Sequence, residues 1–123
     1  METKQLLWKK TQYATIPSTE IPDNIDLTET VKRFSIHKYH LGGWPINESD
    51  NIGEQYPPLN EVSHVVRTVT LNENNDLEIT FELMHTSRGS LLEELYVKKN
   101  PFKMVPVVDK EGINILRFDL IRS

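Results

Sequence analysis

Glu61-Val-Ser-His-Val-Val-Arg-Thr-Val-Thr-Leu71, followed by Leu77-Glu-Ile-Thr-Phe-Glu-Leu-Met-His-Thr-Ser-Arg-Gly-Ser-Leu-Leu-Glu-Glu-Leu95, decides the fold. Residues 62–71 are dense in valine and other β-branched side chains, which suit a pleated, half-buried surface. Asn72-Glu-Asn-Asn-Asp76 reads as a hairpin-like turn, because Asn and Asp tolerate left-handed backbone. Leu77, Ile79, Phe81 and Leu83 then alternate with Glu78, Thr80, Glu82 and Met84, which gives a strand with one core face. Ser87 or Ser90 caps the helix that follows, and Ser90-Leu-Leu-Glu93 has the spacing of a capping box. Leu91, Leu92 and Leu95 form its apolar stripe, so the pattern places a helix at about 88–98, stopped by Asn100-Pro101.

Downstream, residues 102–108 read as a strand with an edge or bulge at Pro106, since proline cannot donate to a ladder. Asp109-Lys-Glu-Gly112 is a turn, and residues 113–121 close the chain as a strand carrying Ile115, Leu116, Phe118 and Leu120. Upstream, residues 41–60 hold many Gly, Pro, Asn and Asp breakers and read as a long irregular connection. Residues 30–39 read as a strand with Phe34 and Ile36 inward, and 17–28 as a loop. Leu6, Trp8 and Tyr13 permit an edge strand. The expected architecture is α+β, mainly β: a small mixed or antiparallel sheet, or a partly closed barrel, with one packed helix. One domain spans 1–123, with its core in 60–121 and residues 1–40 as an arm or edge strands.

The chain holds 14 basic and 18 acidic residues, and no basic run exceeds two. A nucleic-acid backbone needs a concentrated cationic surface, so that partner is not expected. There is no cysteine, which removes disulfides, thiolate zinc sites and a thiol nucleophile. No apolar run approaches a membrane span, and the N-terminus lacks the apolar stretch of a signal peptide. A soluble protein of a cell interior or a virion is the expectation. No cofactor is implied, because the sequence has no phosphate loop, nucleotide fingerprint or nucleophile elbow.

His64, within the first strand, is a candidate general base, since imidazole titrates near neutrality. The plainer alternative is a strand histidine with one structural hydrogen bond. His85 sits at the strand–helix junction and could join His64 in a triad variant, or simply make a polar contact. His37 and His40, three apart, suit metal ligands on a helix, but their Tyr-His-Leu-Gly-Gly context favours a strand end, and no metal site is expected. Gly42-Gly43-Trp44-Pro45 lets backbone approach a ligand or partner closely, or forms a tight turn with an aromatic plug. Gly43, Trp44 and Tyr56, in the long connection, are the candidate binding residues.

Leu59-Asn-Glu-Val-Ser-His-Val-Val-Arg-Thr-Val and Leu83-Met-His-Thr-Ser-Arg-Gly-Ser-Leu-Leu-Glu-Glu-Leu together resemble the prohead proteases of tailed phages, capsid-maturation enzymes related in fold to herpesvirus assemblin. Leu116-Arg-Phe-Asp-Leu-Ile121 resembles the last strand of that family, and Gly43-Trp-Pro-Ile faintly resembles its upstream Gly-Glu-x-x-His-Pro stretch. The resemblance spans roughly residues 42–121 and implies the catalytic-histidine position for His64. The family's junction Asp is His85 here and its Pro is Ser87. The strand expected to carry the serine reads Pro101-Phe-Lys-Met-Val-Pro-Val-Val108, with no Ser, Thr or Cys and no Arg-Gly after it. Ser63 is a poor substitute, because adjacent strand residues point to opposite faces.

The resemblance therefore implies a phage or viral protein without the catalytic serine, binding capsid or scaffold proteins in the virion or host cytoplasm, with self-association as one possibility. Two alternatives stay open. One is a serine hydrolase using His64. The other is a small regulatory protein on an unrelated α+β fold that binds a host protein.

Overall fold

The computed structural model describes residues 11–36, 38–44, 56–97 and 102–122. Along them run β1 (Gln12–Ile16), α1 (Leu27–Phe34), β2 (His40–Gly43), β3 (Val62–Leu71), β4 (Leu77–Leu83), α2 (Ser87–Val97), β5 (Phe102–Val108) and β6 (Ile115–Arg122). Single 3-10 turns occur at Ser18–Glu20 and Leu59–Glu61. The class is α+β, mainly strands. One antiparallel sheet has the order β1-β4-β3-β2, and β5 and β6 form a second. The ladders do not close into a barrel.

The β3–β4 hairpin is as the sequence implies. Asn72 Oδ1 accepts from the amides of Asn74 (2.8 Å) and Asp76 (3.0 Å), and Asn75 takes the left-handed φ of 63°. Leu77, Ile79, Phe81 and Leu83 are all buried. β3 is less regular than its composition suggests. Gly42 pairs with His64 and Gly43 with Val62, which leaves Ser63 as an extra residue; Val66 pairs with Phe81 and Thr68 with Thr80, which leaves Arg67 as another. Two bulges thus break the period of two, and five consecutive residues, Val62 to Val66, are buried.

Residues 30–39 are not a strand. Their first half belongs to α1, so two helices pack on the sheets where one was expected. Asp26 caps α1 by accepting from the Glu29 amide at 3.0 Å. Leu27, Thr30, Val31 and Phe34 are spaced i, i+3, i+4, i+7, and this helical face overrides the weaker alternation. Ile36, expected inward, is 76% exposed.

α2 is capped by Thr86 and not by Ser87 or Ser90. The Thr86 hydroxyl accepts from the Gly89 amide at 3.0 Å and donates to the Val62 carbonyl, tying the helix start to β3. Gly89 packs on the carbonyls of Met84 and Ser63, where a methyl group has no room. That contact turns the Gly89–Leu92–Glu93 face toward the sheet and leaves Leu91 half-exposed, contrary to the expected leucine stripe.

β5 continues through Pro106, which pairs with Phe118; it lies at a sheet edge, as the proline implies, and the ladder shifts register just beyond, between Val107 and Val108. The core joins Ile16, Ile21, Ile25 and Phe34 to Val66, Phe81, Leu92, Met104 and Phe118, so residues 11–34 share the core of the C-terminal half. Leu6, Trp8, His37, residues 45–55 and the Asn100-Pro101 stop lie outside the described residues.

Candidate functional site

β6 runs beside β2, yet no backbone ladder joins the two sheets. Side chains make the connection. Gly42 has no Cβ, and the space a methyl would fill holds the His64 ring and the Phe118 carbonyl. His64 Nε2 therefore reaches Phe118 O at 2.9 Å. A carbonyl only accepts, so Nε2 carries the proton, and Nδ1 accepts from the Ser63 hydroxyl at 2.7 Å. One residue along, the Gly43 amide donates to Asp119 Oδ1 at 2.9 Å. Asp119 in turn takes a two-pronged ion pair from Arg117, Nε to Oδ1 at 2.9 Å and Nη2 to Oδ2 at 3.1 Å. Ser63, His64, Arg117 and Asp119 are all buried, none above 2% exposure.

The Phe118 carbonyl points toward β2 and away from β5. Pro106, opposite Phe118, is thereby in a non-hydrogen-bonded position, and its missing N–H leaves no gap in the β5–β6 ladder. The Ser63–His64 bond runs against the opposite-faces expectation. The bulge at Ser63 supplies the reason: the extra residue twists the strand and brings consecutive side chains to one side.

Burial pushes the His64 imidazole down to about 4 from its usual 6.5, while the hydrogen bond to Phe118 and the Asp119 charge pull the other way. Above pH 6.5 the folded and unfolded imidazoles are both neutral. As pH falls from 6.5 toward 4 only the unfolded one takes a proton, so stability drops by up to about 1.4 kcal/mol per pH unit. Urea midpoints measured from pH 7 to pH 4 should show this loss, and His64→Gln should flatten it.

Ser63, His64 and the Phe118 carbonyl are connected in the order nucleophile, base, orienting group. All of this lies under the surface, where no substrate reaches. His85 is exposed at the end of β4, and both ring nitrogens of His64 are engaged elsewhere, so the two histidines form no joint site. β5 presents no hydroxyl or thiol, Ser87 is exposed, and Ser90 lies inside α2. Among the described residues no group of three potential ligands could hold a metal ion. His40 meets the Phe34 carbonyl at 3.1 Å instead.

The proposed binding residues divide. Gly43 is buried against Pro57 and serves the seam between the sheets. Trp44 donates its amide to Glu61 O at 2.9 Å, with the Arg88 guanidinium 6.0 Å from its ring centre. Tyr56 is 66% exposed and lines an open cavity of about 200 Å³. Arg33, Tyr39 and His40 share its wall, backed by Phe34, Leu41 and Leu116. Arg33, Tyr39, Ser63, Arg117 and Asp119 were not singled out from the sequence as site residues. Arg117-x-Asp119 did carry a signal: opposite charges on one face of an otherwise apolar strand.

Among the described residues no helix is long and apolar enough to cross a membrane. No protein-family model, curated protein or solved structure matches the chain.

Proposed function

We propose that this protein acts by binding another protein and does not catalyse a reaction. The observation that carries the reading is His64. His64, bonded to Ser63 through Nδ1, is fully buried, and its Nε2 is committed to the Phe118 carbonyl of the second sheet. A base that no substrate can approach supports a structural role. Exposed apolar side chains support binding. Tyr39, Tyr56 and Leu59 stand 53%, 66% and 90% exposed, and aromatic side chains so placed are common anchors in protein interfaces.

The partner class in this proposal is a viral capsid or scaffold protein. Its support is the likeness to prohead proteases, whose motifs fall on β3 and on the passage from β4 into α2. A host protein is the alternative partner.

Incubation of the full chain with a fluorophosphonate probe tests the non-catalytic half. The expected result is no labelling above that of a Ser63→Ala variant. Stoichiometric labelling of Ser63, abolished in a folded His64→Gln variant, would overturn it.

A further inference from the structure

The cavity bounded by α1, β2 and Tyr56 contains a cation, Arg33, that has no counter-ion among the described residues. Arg33 forms no ion pair among the described residues, although the chain as a whole is acidic. Its Nη2 donates to the Ile115 carbonyl at 2.9 Å, which fixes the guanidinium against β6. Its Nε is buried without an acceptor, and its Nη1 has no hydrogen-bond partner among the described residues. Among the described residues no acidic side chain lines the cavity.

The wall opposite is built, not incidental. The second bulge of β3 places Arg67 so that its Nη1 donates to Lys38 O at 2.9 Å and its guanidinium lies 5.6 Å from the Tyr39 ring centre. Glu82, at 3.1 Å, neutralises Arg67 and leaves Arg33 as the uncompensated charge. Tyr39 is thus held at the rim, facing a cavity whose other rim is Tyr56.

Size and charge narrow the occupant. About 200 Å³ is below the usual range for cofactor pockets and suits one side chain. A single guanidinium with few open donors matches one negative charge, and arginine pairs with carboxylates through planar, charge-assisted hydrogen bonds. We propose that this cavity binds a carboxylate: an acidic side chain of the partner protein enters between Tyr39 and Tyr56 and pairs with Arg33. The inference rests on the binding function above and names the chemistry of the partner's anchor.

The test is a titration of the isotope-labelled full chain, followed by NMR, with three probes: N-acetyl-glutamate N-methylamide, its neutral glutamine counterpart, and inorganic phosphate. The glutamate probe should give saturable shifts at Arg33, Tyr39, His40 and Tyr56, with the glutamine probe at least about ten-fold weaker. Arg33→Gln should weaken the glutamate probe by a similar factor. Tyr56→Ala, at an exposed position that leaves the core untouched, should weaken it several-fold and keeps the test open if Arg33→Gln fails to fold. Absence of saturable shifts, equal binding of the glutamate and glutamine probes, or tighter binding of phosphate at these residues would overturn the proposal. The outcomes are separable from those of the fluorophosphonate experiment. Labelling of Ser63 with intact carboxylate binding sinks the non-catalytic reading alone; an unlabelled protein with an inert cavity sinks this inference alone.

Discussion

Gly42→Ala should destabilise the protein by about 3–5 kcal/mol, the sum of an overpacking strain and a broken buried hydrogen bond. The new methyl group falls on His64 Nε2 and on the Phe118 carbonyl at once. The imidazole is a rigid ring in a filled site, and the carbonyl is backbone of a strand buried along most of its length, so neither yields cheaply. Relief requires β2 and β6 to separate. That motion strands the imidazole N–H and the carbonyl without partners, in a region closed to water. Small domains are stable by only about 5–15 kcal/mol, so a large part of the total is at stake. Gly112→Ala supplies the comparison. That residue has a φ of +70° with open space around it, so it should lose only about 1–2 kcal/mol, the strain of a left-handed alanine. Urea unfolding of the two variants beside the parent measures the difference. Equal midpoint shifts would mean that His64 does not occupy the space over Gly42.

Asp119→Ala should cost about 3–5 kcal/mol, because it leaves the Arg117 guanidinium buried without its carboxylate. The Gly43 amide loses its acceptor in the same step. Replacing both charges is the informative contrast. Arg117→Met with Asp119→Leu removes the buried cation together with its carboxylate and fills the space with apolar atoms, so the double variant should be more stable than Asp119→Ala, though still short of the Gly43 hydrogen bond. A double variant less stable than the single one would mean that the ion pair stabilises this part of β6 more than hydrophobic packing can.

The hairpin, α2 and the last two strands were legible because each has an unambiguous local signature. Leu77 to Leu83 alternates strictly, and Asn72 to Asp76 is turn chemistry. α1 was not read, because over eight residues the alternation of Val31, Arg33 and Ser35 competes with the helical spacing of Leu27, Thr30, Val31 and Phe34. Asp26, an N-cap residue just before the first apolar position, was the deciding cue. The cap at Thr86 was missed for a different reason. Thr86, Ser87 and Ser90 all carry hydroxyls within five residues, and only the contact of Gly89 with β3 selects among them.

The seam was partly legible. Gly42-Gly43 announced a close backbone approach, and His64 stood out as a polar group in a valine strand. What approaches Gly42 is 54 residues away from His64 in sequence, the distance between His64 and Phe118, and no local pattern encodes that pairing. Bulges were equally hidden. The Ser63 bulge inverts the expected facing of Ser63 and His64, and the Arg67 bulge brings Arg67 to Tyr39. Both arise from register between strands and not from composition.

His64 is a neutral strut between two sheets, and long-range nitrogen–proton NMR of the imidazole puts this to the test. Nε2 should be protonated, with a slowly exchanging proton, Nδ1 should be unprotonated, and the ring should stay neutral until near pH 4. A ring protonated on Nδ1, or one that exchanges freely and titrates near 6.5, would contradict it.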